Sequence, residues 1–139
     1  MEVCVQQLVW NHCYTVGVRA MDDQHSILMD TLNELRLVLT RGHSHQQLTE
    51  KFDQLIEFMR MHFASEEQLL ERIHYEALAE HRAAHHKLMA DMLHAAHQMQ
   101  HGEGVQVSAM LTLARESFLM HIEEFDRPYG PILNHSGVQ

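Results

Sequence analysis

Proline and glycine are scarce in this chain of 139 residues, which has two of the first and six of the second. Both prolines, Pro128 and Pro131, lie near the C-terminus, so no proline interrupts a helix before residue 127. The two cysteines, Cys4 and Cys13, make no disulfide framework and read as reduced thiols. Basic residues are outnumbered, 10 Lys and Arg against 19 Asp and Glu, for a formal net charge of -9. With no Lys/Arg cluster there is no basic face to neutralise phosphates, which argues against a nucleic-acid partner. No apolar run approaches the ~20 residues of a membrane span. Met1 to Trp10 lacks the basic start and apolar stretch of a signal peptide, so a cytoplasmic location is expected.

What is present favours helix: Ala, Leu, Met, Glu and Gln are abundant. The length suits one domain with a real core. Residues 1–20 read as an ordered N-terminal arm, too apolar for a free tail, with Val3, Val5, Leu8, Val9, Trp10, Tyr14, Val16 and Val18, and with Gly17 as a bend. Asp22 or Asp23 is expected to cap a first helix from about residue 22, with Ile27, Leu28, Leu32, Leu35 and Leu39 at helical spacing and Gly42 as its stop. Ser44 should cap the second helix, whose stripe runs through Leu48, Phe52, Leu55, Ile56, Met59, His62, Phe63, Glu66 and Leu70. After a break at residues 73–75, a third helix (about 76–101) turns Leu78, His81, His85, Leu88, Met92 and Ala95 inward. A fourth (about 106–125) turns Met110, Leu111, Ala114, Phe118, His121 and Ile122 inward. Short connections imply an all-α, up-down-up-down antiparallel four-helix bundle over 21–127, followed by a C-terminal tail over 128–139.

Fourteen histidines make some four-residue pairings inevitable by chance. Their joint arrangement is the informative part. His62 and Glu66 are four apart, as are His81 and His85, so each pair points one way from its helix. Adding His25, His121 and Asp126 gives five imidazoles and two carboxylates, a donor set that first-row metals such as iron accept, spaced for a two-metal site between helices. His121 and Asp126 are five apart, roughly 140° around an ideal helix. Both reach one site only if the helix ends, tightens or bulges between them.

In order, Trp10, Val16-Gly17-Val18, Met21-Asp22, Gln24-His25, His62-Phe63, Glu66-Glu67, Tyr75, His81, His85, His121-Ile122, Asp126 and Tyr129 resemble the hemerythrin family, most closely its bacterial single-domain members. The resemblance covers nearly the whole chain. It implies a non-haem centre of two Fe ions with an oxo or hydroxo bridge and reversible O2 binding. By the same resemblance His81, His85 and His121 hold one iron, His25 and His62 the other, and Glu66 and Asp126 bridge them. O2 would take the open position beside His25 and His62, with Ile27, Leu28 and Phe118 as expected pocket walls because they sit within a turn of ligands. Di-iron oxygenases of bundle form use four carboxylates and two histidines, whereas five neutral imidazoles favour the diferrous state and exchange with O2 over oxygenation.

The chain departs from the family pattern at Ser117 and Phe118, where Trp-Leu is common, and at His74, where glycine is common. The first is expected to be a compensating core swap, the second a surface change. The nine histidines outside the motif, His12, His43, His45, His74, His86, His94, His97, His101 and His135, are expected on solvated faces. His94, His97 and His101 form a stripe whose alternatives are an adventitious metal site or a pH-sensitive contact. Ten methionines read as adaptable core filler. The expected function is that of an oxygen carrier, store or supplier without enzymatic turnover. The alternatives are O2 or redox sensing through an unknown protein partner, and a di-iron enzyme acting on peroxide or nitric oxide.

Overall fold

The structure is a computed structural model, and the described residues are 14–42, 44–101 and 104–139. Expectations for the arm before Tyr14, for Cys4, Cys13, His12 and His43, and for the Met110 side chain fall outside them. The helices are α1 (Arg19–Thr40), α2 (His45–Arg72), α3 (Leu78–Gln100), α4 (Gly104–His121) and α5 (Tyr129–His135), with a π-helical turn, Ile122–Asp126, between the last two. α1 packs on α2 and α4, α2 on α3, and α3 on α4, which closes a four-helix ring. There is no strand among the described residues, and no helix among them is long and apolar enough to cross a membrane.

The helix boundaries follow local chemistry. Ser44 caps α2 through a reciprocal box: Gln47 N donates to Ser44 Oγ (3.2 Å) and Ser44 N donates to Gln47 Oε1 (3.0 Å). Gly42 takes a φ of +70° after α1 and ends it. α1 opens earlier than its acidic residues suggest, because neither Asp22 nor Asp23 is its N-cap; Val18 is. Asp22 instead reaches back, accepting from Val16 N at 2.8 Å and Gly17 N at 3.3 Å, and pins the arm to the helix.

Each stripe meets in one core. Leu28, Leu32 and Leu35 of α1 are buried, with Phe52, Leu55, Ile56, Met59, Phe63 and Leu70 of α2, Met92, Ala95 and Ala96 of α3, and Leu111, Phe118 and Leu119 of α4. Tyr14, Val16 and Val18 of the arm join them.

The segment expected as a tail is α5. Its first turn tolerates Pro131 because no earlier carbonyl awaits that nitrogen. Tyr129 and Leu133 are fully buried, and Asn134 Nδ2 donates to Gly17 O at 2.9 Å, which ties α5 to the arm. Gly130 lies against the same strip of backbone, where a Cβ would meet Val16 O at 1.9 Å.

Candidate metal centre

All seven singled-out polar residues come together, and all are buried. His25 comes from the start of α1, His62 and Glu66 from late α2, His81 and His85 from early α3, His121 from the end of α4 and Asp126 from the π turn. In the antiparallel ring these positions share one end of the bundle. The π turn resolves the awkward five-residue spacing: Ile122–Asp126 is wound as π-helix, and Arg127 N bonds to Ile122 O across five residues at 2.8 Å. The extra residue in that turn returns Asp126 to the face that His121 occupies.

The seven residues fall into two overlapping groups. Glu66, His81, His85, His121 and Asp126 form one, and His25, His62, Glu66 and Asp126 the other; within each, candidate ligand atoms lie within 4.8 Å of one another. The shared carboxylates divide their oxygens between the groups. Glu66 Oε1 lies 2.6 Å from His81 Nε2 and 2.9 Å from His85 Nε2, while its Oε2 lies 3.5 Å from both His25 Nε2 and His62 Nε2. Asp126 Oδ1 lies 3.0 Å from His81 Nε2 and 3.1 Å from His121 Nε2, and its Oδ2 lies 3.1 Å from His25 Nε2.

Only part of this proximity is hydrogen bonding, as at Glu66 Oε1, which both His81 Nε2 and His85 Nε2 approach at hydrogen-bonding distance. His62 Nε2, His121 Nε2 and both Asp126 oxygens are buried and make no hydrogen bond. Buried polar atoms left so are costly. Lone pairs that converge on a point without satisfying one another fit a cation at that point, and imidazole with carboxylate is a donor set for first-row metals. The residues therefore fit a two-ion centre.

The electrostatics agree. Burial would raise Glu66, but the imidazoles of His25, His81 and His85 around its oxygens hold its carboxyl well below the usual range. Burial and the charge of Glu66 push Asp126 up, and the neighbouring histidines, His121 foremost, outweigh them and hold it low. Burial alone would depress His25 and His81; their carboxylate neighbours, Asp126 and Glu66, overcome it and raise each from 6.5 to about 9. His62 is lowered by burial to about 4, with the charge of Glu66 only partly opposing.

Three further residues orient the cluster. His62 Nδ1 donates to Gln24 Oε1 at 2.7 Å, His85 Nδ1 donates to Glu67 Oε2 at 2.8 Å, and Tyr129 OH donates to Glu66 Oε2 at 2.7 Å. Each of the two imidazoles is thereby fixed in the tautomer that turns Nε2 inward. Phe63 stacks on His85, with ring centroids 4.0 Å apart, and Phe118 meets His25 edge-on at 5.9 Å.

Of the expected pocket walls, Leu28 and Phe118 are buried but Ile27 is 46% exposed. Ile27 stands two residues from His25, about 200° around the helix, so it faces away. Leu28 and Phe118, with Leu32, Leu55, Met59, Leu88, Met92 and Ser117 among the other lining residues, surround a small apolar cavity of about 20 Å³. Leu28, Met59, Leu88 and Phe118 each stand three residues from a clustered histidine, which places the cavity one helical turn deeper in the bundle.

A four-helix ring that aims five imidazoles and two shared carboxylates at one buried point defines a metal-binding helical-bundle protein. Residues 16–133 match the model of the hemerythrin HHE cation binding domain, and the chain belongs to that family. It is similar to the bacteriohemerythrin of Methylococcus capsulatus (30% identity, covering 87% of this chain and 92% of that one). It is also similar to the bacteriohemerythrin of Pseudomonas aeruginosa (28%, covering 93% and 83%) and to a hemerythrin-like protein of Naegleria gruberi (23%, covering 89% and 92%). The crystal structure of a wild-type hemerythrin superposes with a TM-score of 0.82 at 28% identity, covering 90% of this chain and 96% of that one.

Proposed function

We propose that this protein binds dioxygen reversibly at a non-haem centre of two irons, as a carrier, store or local supplier. The observation behind this reading is the unequal division of the cluster. His81, His85 and His121 would hold one ion and only His25 and His62 the other, and Glu66 and Asp126 turn separate oxygens toward the two groups. The two-histidine side has one protein donor fewer, which leaves room for an exogenous ligand. When bound, a pair of irons supplies two electrons that can be lent to O2 and recovered.

The chain's own groups do the rest. Gln24 and Glu67 hold His62 and His85 with their acceptor nitrogens inward. Tyr129 neutralises part of the Glu66 charge with a hydrogen bond, and burial, with the nearby Glu66 and Asp126 charges, raises its phenol well above the usual 10, so it stays a donor throughout the physiological range. Phe118 and Leu28 cover the two-histidine side with apolar surface that excludes water and anions. The adjoining cavity of about 20 Å³ suits a small apolar guest.

The test is optical. Metal analysis of anaerobically reconstituted protein is expected to give two irons per chain. The reduced protein should then develop a visible band on admission of O2 and lose it again under argon, over several cycles. Failure to return to the reduced spectrum overturns the carrier reading. Turnover with hydrogen peroxide or nitric oxide would replace it with an enzymatic one, and a protein partner that binds only one redox state would point to sensing.

A further inference from the structure

The three-histidine stripe of α3 lies far from the buried cluster and plays no part in it. His94, His97 and His101 are exposed. They fall within a 60° arc of the helix, at spacings of three and four residues. His97 stands twelve residues beyond His85, ~18 Å along the axis.

Two details distinguish this stripe from a merely solvated face. The His97 and His101 rings are already in contact, with centroids 4.3 Å apart. His101 Nδ1 donates to His97 O at 2.9 Å, which fixes the tautomer and leaves Nε2 as a lone pair directed outward. A carbonyl behind the far nitrogen is the support that metal-bound imidazoles use. The pair also closes the last turn of α3, where the negative end of the helix dipole favours a cation, on a chain of net charge -9.

We propose that His97 and His101 form a second, surface site for a divalent transition-metal ion, with His94 one turn back as a third donor and water in the remaining positions. Two imidazoles one turn apart on a helix form a chelate suited to zinc, nickel and copper ions, copper binding tightest in the usual order. The hard, carboxylate-seeking ions magnesium and calcium are excluded by the donor type.

The same His101 contact also caps a carbonyl at the helix end, which is a structural role in its own right. His97→Ala separates the two roles, because it keeps the backbone carbonyl that His101 caps and removes one ligand. Iron-loaded wild-type protein and His97→Ala are titrated with zinc chloride by calorimetry. Whatever fills the buried cluster is common to both, so the difference reads the surface pair alone and is independent of oxygen binding. Wild type is expected to take up one zinc more than the variant, or to bind it at least tenfold more tightly. With copper(II), the wild-type paramagnetic resonance spectrum should show splitting from two or more nitrogen donors that His97→Ala and His101→Ala each reduce. Less than a tenfold difference in zinc affinity with equal stoichiometry, or identical copper spectra, overturns the proposal.

Discussion

A histidine that offers one nitrogen to a cation needs its other nitrogen occupied, or the ring turns. Gln24 and Glu67 supply that anchor to His62 and His85, and Tyr129 does the equivalent for Glu66. Gln24→Ala should leave His62 Nδ1 buried without an acceptor and the ring free to rotate. Iron affinity measured by chelator competition is then expected to fall about 10–100-fold, with the fold retained. An unchanged affinity would mean that packing against Phe63 and His25 orients the ring without the hydrogen bond. Four of the seven clustered residues were legible from helix spacing, which converts position into direction, since His62 with Glu66 and His81 with His85 can only point together; His25, His121 and Asp126 were placed by the order of the family's motif. The three orienting residues were not legible, since each acts across helices, over 38, 18 and 63 positions of chain. The one local hint is adjacency, as Gln24 precedes His25 and Glu67 follows Glu66. Ile27 shows the opposite error, in which closeness along the chain was read as closeness in space although the helix turns it to solvent.

Among the elements, the π turn Ile122–Asp126 is the one on which the centre's completeness depends. The five-residue gap from His121 to Asp126 announced that regular helix must fail there, but not whether by ending, tightening or widening. The structure widens. An alanine inserted after Glu124 should rotate Asp126 by about 100° away from His121 and abolish binding of two irons. Deleting Glu124, which is exposed, converts the gap to four residues and the turn to α, so Asp126 stays on the face of His121 and metal content should be largely kept. Equal loss in both variants would show that the segment is sensitive to any change and not to register. At the other contact of this region, α5 closes over the arm through a glycine. Gly130→Ala would drive a Cβ against Val16 O, which is backbone and cannot swing aside. The expected cost is about 1–3 kcal/mol or more, read as a lower midpoint of chemical denaturation. α5 was hidden from sequence reading by Pro128 and Pro131, which look like breakers when the possibility of a proline in a helix's first turn is not weighed.

At the scale of the whole molecule, the cluster is a concentration of buried polar groups that the apolar core would not tolerate by itself. Its tolerance depends on what sits between Glu66 and Asp126: a cation when one is bound, protons on His25 and His81 when none is. This makes the stability of the metal-free protein a function of pH on both sides. His25 and His81 titrate near 9 in the fold against 6.5 unfolded, so their contribution is complete below 6.5 and disappears as the pH rises through 9. His62 runs the other way. Its folded value near 4 means that the unfolded chain takes the proton first, so stability falls as the pH drops from 6.5 toward 4. Glu66 and Asp126, both held low, lose their contribution at still lower pH. The metal-free melting temperature should therefore peak near neutrality and decline both toward pH 9 and toward pH 4. Bound metal requires the histidines neutral and the carboxylates ionised, so it removes the alkaline decline, and acid should release the ions. The iron-loaded protein should melt many degrees higher at every pH from 6.5 to 9, with the gap widening as the pH rises. Parallel melts of metal-free and loaded protein across that range measure this directly. A metal-free melting temperature that climbs steadily to pH 9, or a gap that does not widen, would mean that the two protons are not what holds the carboxylates together.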